Sequence, residues 1–207
     1  MKDYKLYLFD FDGTLFDSYF SLIGVYQDGF ASIGQTCTPE EAAVYMHESL
    51  FDTCKNRGLN HEDMMKVVEA TNRALDFPKH LKEIKIYQDA KPTIEALFEK
   101  GKELAIVSGN SEKHIRLTLK EFGMEQYFST IVGASIDRRP KPFPDPLLDA
   151  MRSYPTIALS DIVYIGDSLQ DPECAKNALV DGILIERNKE YSTYKGTKIS
   201  TLEELLK

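Results

Sequence analysis

Short runs of apolar, β-branched or aromatic residues recur along this chain at residues 5–9, 103–107, 130–132, 161–165 and 182–185. Helical patterns occupy the gaps between the later ones, at 92–100, 112–122, 146–152 and 172–179. Strands alternating with helices fold economically in one way, as crossover units on a mainly parallel sheet with both faces covered. Helix-start chemistry agrees with this reading. Ser111 precedes a helix that stops at Gly123, and Ser200 with Glu203 predicts a capping box for the last helix.

One stretch breaks the alternation. From about residue 16 to about residue 83 no run reads as a strand, and the periodicity is helical. Leu22, Val25, Tyr26 and Phe30 share one apolar face. Thr38-Pro39-Glu40-Glu41 is a capping box with proline at the first helical position, and Asn60 with Asp63 starts a further helix. The expected division is therefore a Rossmann-like α/β core from residues 1–15 and 84–207, with 16–83 as an all-helical insertion.

The chain has 207 residues, 43% hydrophobic and 28% charged, which suits one domain with a modest insertion and an ordinary globular core. A formal net charge of −8 disfavours a nucleic-acid or anionic-membrane binder, since both demand positive surface. Cys37, Cys54 and Cys174 are widely spaced with no CxxC pair, which argues against a disulfide framework and a zinc site. Neither a signal-peptide pattern nor a run of membrane-spanning length is present, so the expected location is the cytoplasm.

Polar clusters follow four of the apolar runs, which brings them to one edge of the expected sheet, where open α/β folds bind ligands. The first is Asp10-Phe11-Asp12-Gly13-Thr14. Two carboxylates two residues apart point the same way on a strand and repel each other, so a cation or a chemical role must explain them. Taken alone, the string also fits a turn or a calcium-loop fragment. The second, Ser108-Gly109-Asn110, leads into a helix N-terminus and suits an anion, though it also fits a plain cap. In the third, Lys141-Pro142-Phe143-Pro144-Asp145, two prolines stiffen the segment that presents the lysine. The fourth is Gly166-Asp167-Ser168-Leu169-Gln170-Asp171, whose acids at i and i+4 suit a hard cation such as Mg²⁺. Either acid alone could cap a helix.

In order and spacing these four clusters resemble the signature motifs of the haloacid dehalogenase superfamily, and the likeness extends over nearly the whole chain, with 16–83 in the place of a helical cap. The branch it looks most like contains phosphoglycolate phosphatases and β-phosphoglucomutases. The resemblance implies a small-molecule phosphatase. Asp10 would attack phosphorus and Asp12 would act as acid and then base. Mg²⁺ would be held by Asp10, the Asp12 carbonyl and Asp167, with Asp171 in support. Ser108, Gly109, Asn110 and Lys141 would hold the phosphoryl oxygens. The expected partner is a small phosphorylated metabolite, with neither nucleic acid nor membrane involved.

An acid at position 12 favours phosphoryl transfer over dehalogenation, because a halide leaves without a proton. The mutases carry a histidine about where this chain has Leu22, which favours hydrolysis. Pyrophosphatase or mutase chemistry, or a non-enzymatic phospho-signalling or binding role, stand as alternatives. Two features of the resemblance lead further. The substrate-facing loop of the cap is expected at 46–58, with His47, Glu48, Ser49, Lys55, Asn56 and Arg57. Leu179 stands where relatives have an Ala-Gly pair, and it is expected to alter helix packing.

Overall fold

The computed structural model describes every residue except 47–49, 76–77, 136 and 188–190. His47, Glu48 and Ser49 thus lie outside the described residues. By its contacts the chain divides into two units. One is Met1–Asp17 with Ile86–Lys207, and the other is Ser18–Lys85.

The first unit is built on strand β1 (Leu6–Phe9), whose four side chains are all essentially inaccessible to solvent. Burial on both faces is what a central parallel strand requires, and it explains an unbroken apolar run in place of alternation. Short strands β2 (Phe16–Asp17) and β3 (Lys85–Ile86) pair at the two points where the chain passes between the units. The chain then runs through α6 (Ala90–Glu99), β4 (Glu103–Val107), α7 (Glu112–Glu121), β5 (Thr130–Val132), α8 (Asp145–Met151), β6 (Ile162–Gly166), α9 (Gln170–Asn177), β7 (Asp181–Ile185) and β8 (Thr197–Ile199). All pairings in the six-stranded sheet are parallel, in the order β5-β4-β1-β6-β7-β8.

Leu8 of β1 lies between Ala105 and Tyr164 in register. Leu6 and Leu8 share one face with Val107, Leu147, Cys174 and Ala175, which ties α8 and α9 to the sheet. Tyr7 and Phe9 project from the other face, their rings stacked with centroids 6.4 Å apart. The strand order leaves β1 and then reverses to β6. That switch point places the residues following β1 and β6 beside one another at the carboxyl edge.

The second unit comprises α1 (Tyr19–Ala31), α2 (Pro39–Tyr45), α3 (Leu50–Asn56), α4 (His61–Leu75) and α5 (Pro78–Leu81). Ile23, Phe30, Cys37, Ala42, Cys54 and Val67 form its core. The capping box at α2 closes as expected, with Thr38 N–H donating to Glu41 Oε2 at 2.8 Å and Glu41 N–H to Thr38 Oγ1 at 3.2 Å. Asn60 Oδ1 likewise accepts the Asp63 N–H at 2.9 Å ahead of α4. Helices α1 and α4 approach closely at Gly29, where a Cβ would fall 2.2 Å from Thr71 Oγ1. Glycine is required there for contact rather than for φ.

Several local expectations are corrected. Most of the expected 46–58 loop that is described is helical: α3 covers Leu50–Asn56, and Lys55 and Asn56 lie in its last turn. Residues 16–17 and 197–199 are strands, too short or too polar for a periodic signal. The final cap sits one residue later than expected. Glu204 Oε1 accepts the N–H groups of Ser200 and Thr201 at 2.7 and 3.2 Å, and the element that follows is a 3₁₀ helix, Leu202–Leu206. Leu179 does not pack. It is 76% exposed and adopts φ 61°, the left-handed conformation that ends α9.

Candidate active site at the carboxyl edge of the sheet

Asp10 is the first residue after β1. Its N–H donates to the Ile165 carbonyl at 2.8 Å, so it continues the ladder to β6 while its side chain turns to the edge. Asp10 Oδ1 accepts the Phe11 N–H at 2.8 Å, and Oδ2 lies 3.0 Å from Lys141 Nζ. Lys141 also reaches Asp171 Oδ1 at 2.7 Å and Tyr164 Oη at 3.2 Å. Three acceptors therefore match the three N–H groups of the ammonium. Asp171 is fully buried, and its Oδ2 accepts the N–H and hydroxyl of Ser168 at 2.9 and 2.8 Å.

Asp10, Asp167 and Asp171 each bring a carboxylate oxygen into one small volume, with the three oxygens within 4.8 Å of one another. Three such acids and one lysine leave negative charge uncompensated in a buried place. Burial raises the Asp10 pKa to about 7, with Asp171 and Asp12 adding to the rise and Lys141 opposing it. Burial also raises Asp167 to about 8, reinforced by Asp10 and Asp171. For Lys141, burial alone would lower the pKa, but Asp10 and Asp171 outweigh it and hold the ammonium well above its usual range. An all-oxygen donor set with excess negative charge fits a hard divalent cation.

Gly13 is indispensable to this packing. It adopts φ 74°, and a Cβ there would fall 2.3 Å from Asp167 Oδ2. From the neighbouring strand end, Asn110 Nδ2 donates to Asp12 Oδ2 at 3.0 Å, while Asn110 Oδ1 accepts the Ser111 N–H at 2.8 Å. The amide is thus oriented toward Asp12. Ser108 is buried, and its Oγ accepts the Asn110 N–H at 3.2 Å. A Cβ at Gly109 would meet nothing within 4 Å, so the backbone is open at that point. Ser111 caps α7 through the His114 N–H at 3.2 Å.

All eight sequence-selected residues thus lie at the ends of β1, β4 and β6 or on the segment after β5. Arg138 and Arg139 are engaged elsewhere, Arg138 with Asp149 and the Gly133 carbonyl, and Arg139 with Asp145. Cys174 is a packing residue, fully buried with its thiol on the Phe143 carbonyl at 3.1 Å. Tyr164 was not anticipated. It reads as one more apolar strand residue, yet its hydroxyl donates to the Val107 carbonyl at 2.8 Å and faces Lys141. The available signal was a buried phenol, which needs a hydrogen-bond partner.

Comparison with known proteins matches residues 7–185 to the haloacid dehalogenase-like hydrolase family. The chain belongs to that family. It is similar to the pyrophosphatase PpaX of Listeria monocytogenes serotype 4b, with 29% identity over 83% of this chain and 78% of that one. It is also similar to the phosphoglycolate phosphatase of Vibrio parahaemolyticus, with 28% identity over 86% of this chain and 81% of that one. Among solved structures, a haloacid dehalogenase-like family hydrolase from Streptococcus pneumoniae superposes with a TM-score of 0.83 at 19% identity, covering 100% of this chain and 98% of the other. A subfamily IA hydrolase of the same superfamily from Geobacter sulfurreducens gives 0.77 at 21% identity, with 98% of each chain covered. At those identities the structures speak for the fold. No described helix is long and apolar enough to cross a membrane.

Proposed function

We propose that this hydrolase is a Mg²⁺-dependent phosphatase that cleaves a small phosphomonoester through an aspartyl-phosphate on Asp10. The observation that carries the reading is the buried Asp10 carboxylate, set between Lys141 and the other two acids of the cluster. In the first step an Asp10 oxygen bonds to phosphorus as the ester P–O bond breaks. The electron pair leaves with the ester oxygen, which takes a proton from Asp12. In the second step Asp12 removes a proton from water, the water oxygen bonds to phosphorus, and the P–O bond to Asp10 breaks. The carboxylate is regenerated and inorganic phosphate departs.

Asn110 keeps the Asp12 carboxylate aimed for both transfers. Lys141, Ser108 and the open backbone at Gly109 receive the phosphoryl oxygens and offset charge that develops there. Asp10, the Asp12 carbonyl and Asp167 would hold Mg²⁺, with Asp171 fixed behind them by Lys141 and Ser168. When bound, the ion screens the anionic nucleophile from the anionic substrate.

The insertion at 16–83 serves in this reading as the cap that selects the leaving group, since it enters the chain directly after the Asp12-Gly13-Thr14 loop. Leu22 packs among Val25, Ala74 and Leu75, which fits hydrolysis rather than mutase chemistry. The three free thiols are all buried and suit a reducing cytoplasm. The pyrophosphatase relatives favour a second reading, in which phosphate is itself the leaving group and the machinery is unchanged.

One experiment separates these. Phosphate release is measured from phosphoglycolate, sugar phosphates, nucleoside monophosphates and pyrophosphate, with Mg²⁺ or with chelator, for wild type and Asp10→Asn. Metal-dependent release lost in the variant supports the mechanism, and the preferred compound decides the class. Release that survives Asp10→Asn would sink it.

A further inference from the structure

The turn at residues 11–16 carries Asp12, and its internal hydrogen bonds leave the buried carbonyls of Thr14 and Leu15 to be satisfied from outside. The N–H groups of Leu15 and Phe16 donate to the Phe11 carbonyl at 3.0 and 3.1 Å, and Gly13 N–H donates to the Phe16 carbonyl at 2.8 Å. The Thr14 carbonyl instead accepts from Arg187 Nη2 at 2.9 Å, and Thr14 has no solvent exposure. Arg187 lies just beyond β7, far from this turn in sequence.

Its guanidinium is fixed on two further sides. Nη1 donates to Asp89 Oδ2 at 2.7 Å, and Cζ sits 4.1 Å from the centroid of the Tyr87 ring. Asp89 Oδ2 in turn accepts the Leu202 N–H at 2.7 Å, while Tyr87 N–H donates to the Leu15 carbonyl at 3.1 Å. Arg187 is therefore held by a carboxylate, an aromatic face and the turn itself. A planar fork stacked on a ring can meet all three at once, which a lysine cannot do.

Slack in this turn would reach the acids directly. Gly13 passes so close to Asp167 that even a methyl group is excluded. Asp12 and Asp10 are one and three residues away along the same backbone. A displacement at Thr14 of a few tenths of an ångström would change how the three carboxylates face one another.

We propose that Arg187 is a positioning residue, which holds the Asp12-Gly13-Thr14 turn in register with Asp10 and Asp167 through the Thr14 carbonyl. Its effect on turnover rests on the phosphatase reading above, whereas its effect on the turn does not.

Arg187→Lys keeps the charge and loses the fork, and Asp89→Asn releases the fork from its other side. Amide hydrogen exchange is followed at Gly13, Leu15 and Phe16, with the β1 and β6 amides as reference, alongside Mg²⁺-dependent hydrolysis of para-nitrophenyl phosphate. In both variants exchange in the turn should accelerate about tenfold while β1 and β6 stay at wild-type rates. The same variants should lose about tenfold in kcat, with KM within about twofold. Turn exchange at wild-type rates overturns the proposal, as does fast turn exchange with unaltered kcat. Equal acceleration in the turn and in both strands also overturns it, because it marks a purely structural role. If wild type cleaves no phosphate ester, the phosphatase reading falls and the exchange measurement alone decides whether Arg187 holds the turn.

Discussion

Both units of this molecule bury hydroxyls and an imidazole, and they differ in the carboxylates they bury. Among the described residues every buried carboxylate (Asp10, Asp89 and Asp171) belongs to the sheet unit. The buried polar groups of the helical unit are the hydroxyls of Ser18, Ser21, Thr53 and Thr71 and the imidazole of His80. Its cation Arg57 lies over the rings of Phe30 and Tyr45, at 4.3 and 5.7 Å, and bonds to the Thr36 carbonyl and Glu41. Buried charge is costly unless it is paired or chemically used. The contrast therefore separates a unit that gathers buried charge from one assembled around apolar packing.

The most severe way to break that contrast is to remove the charge at its centre. Asp10→Asn should lower phosphate release by about a thousandfold or more, with no nucleophile left to form the intermediate. The same variant should be at least as thermostable as wild type at pH 8 without Mg²⁺, since it deletes a carboxylate that burial disfavours. A clear drop in its melting temperature would mean that Asp10 is structural.

A second test titrates the cluster. Folded Asp10 and Asp167 have pKa values raised to about 7 and about 8, above the ordinary 3.8. The folded chain without metal thus binds protons that the unfolded chain has released, and its stability falls as pH rises from near 4 through those values. A cation needs the ionised carboxylates, so its binding is favoured over the same range. As pH rises the metal-free chain is weakened while the gain from the cation grows. The rise in melting temperature produced by Mg²⁺ should be larger at pH 8 than at pH 6, and scanning calorimetry at both values would show the trend or its reverse.

Removing the aromatic-stacked cation of the helical unit should have a smaller and purely structural effect. Arg57→Ala is expected to destabilise the protein by about 1–2 kcal/mol, through lost stacking and stem packing, as read from urea unfolding. The smallest effect is expected on the surface of the sheet unit. Leu179→Gly should stabilise by about 1 kcal/mol, because leucine there occupies the left-handed region. An unchanged denaturation midpoint would show that α9 tolerates the leucine without strain.

The sheet was legible because its strands are buried on both faces and so stand out as apolar runs, and because each functional cluster directly follows such a run or a stiffened segment. Asp10, Lys141, Asp167 and Asp171 come together because strand ends share an edge. What stayed hidden has no local pattern. Thr197–Ile199 is a three-residue edge strand with two exposed side chains, so period-two alternation has no length in which to appear. Leu50–Asn56 is a seven-residue helix, and it reads as loop until its burial of Cys54 is seen. Arg187 and Asp89 meet across 98 positions; Asp89 stands at the N-cap position of α6 without a side-chain cap bond, and nothing near either residue in sequence marks the other as its partner. Long-range ion pairs of this kind are written in the topology rather than in any window of sequence.

The central place of β1 also bears on how the protein is made. Its partners are β4, about a hundred residues later, and β6, about a hundred and fifty residues later. At ordinary rates of synthesis the ribosome needs roughly 10–30 s to supply the second partner. Until β4 is made Leu6-Tyr7-Leu8-Phe9 is a sticky segment with two open edges, and until β6 is made it keeps one. The nascent chain must keep the open edge of that strand away from other chains until β6 has been translated. Asp10, which follows that strand, meets Asp167 and Asp171 only when β6 and the turn after it arrive.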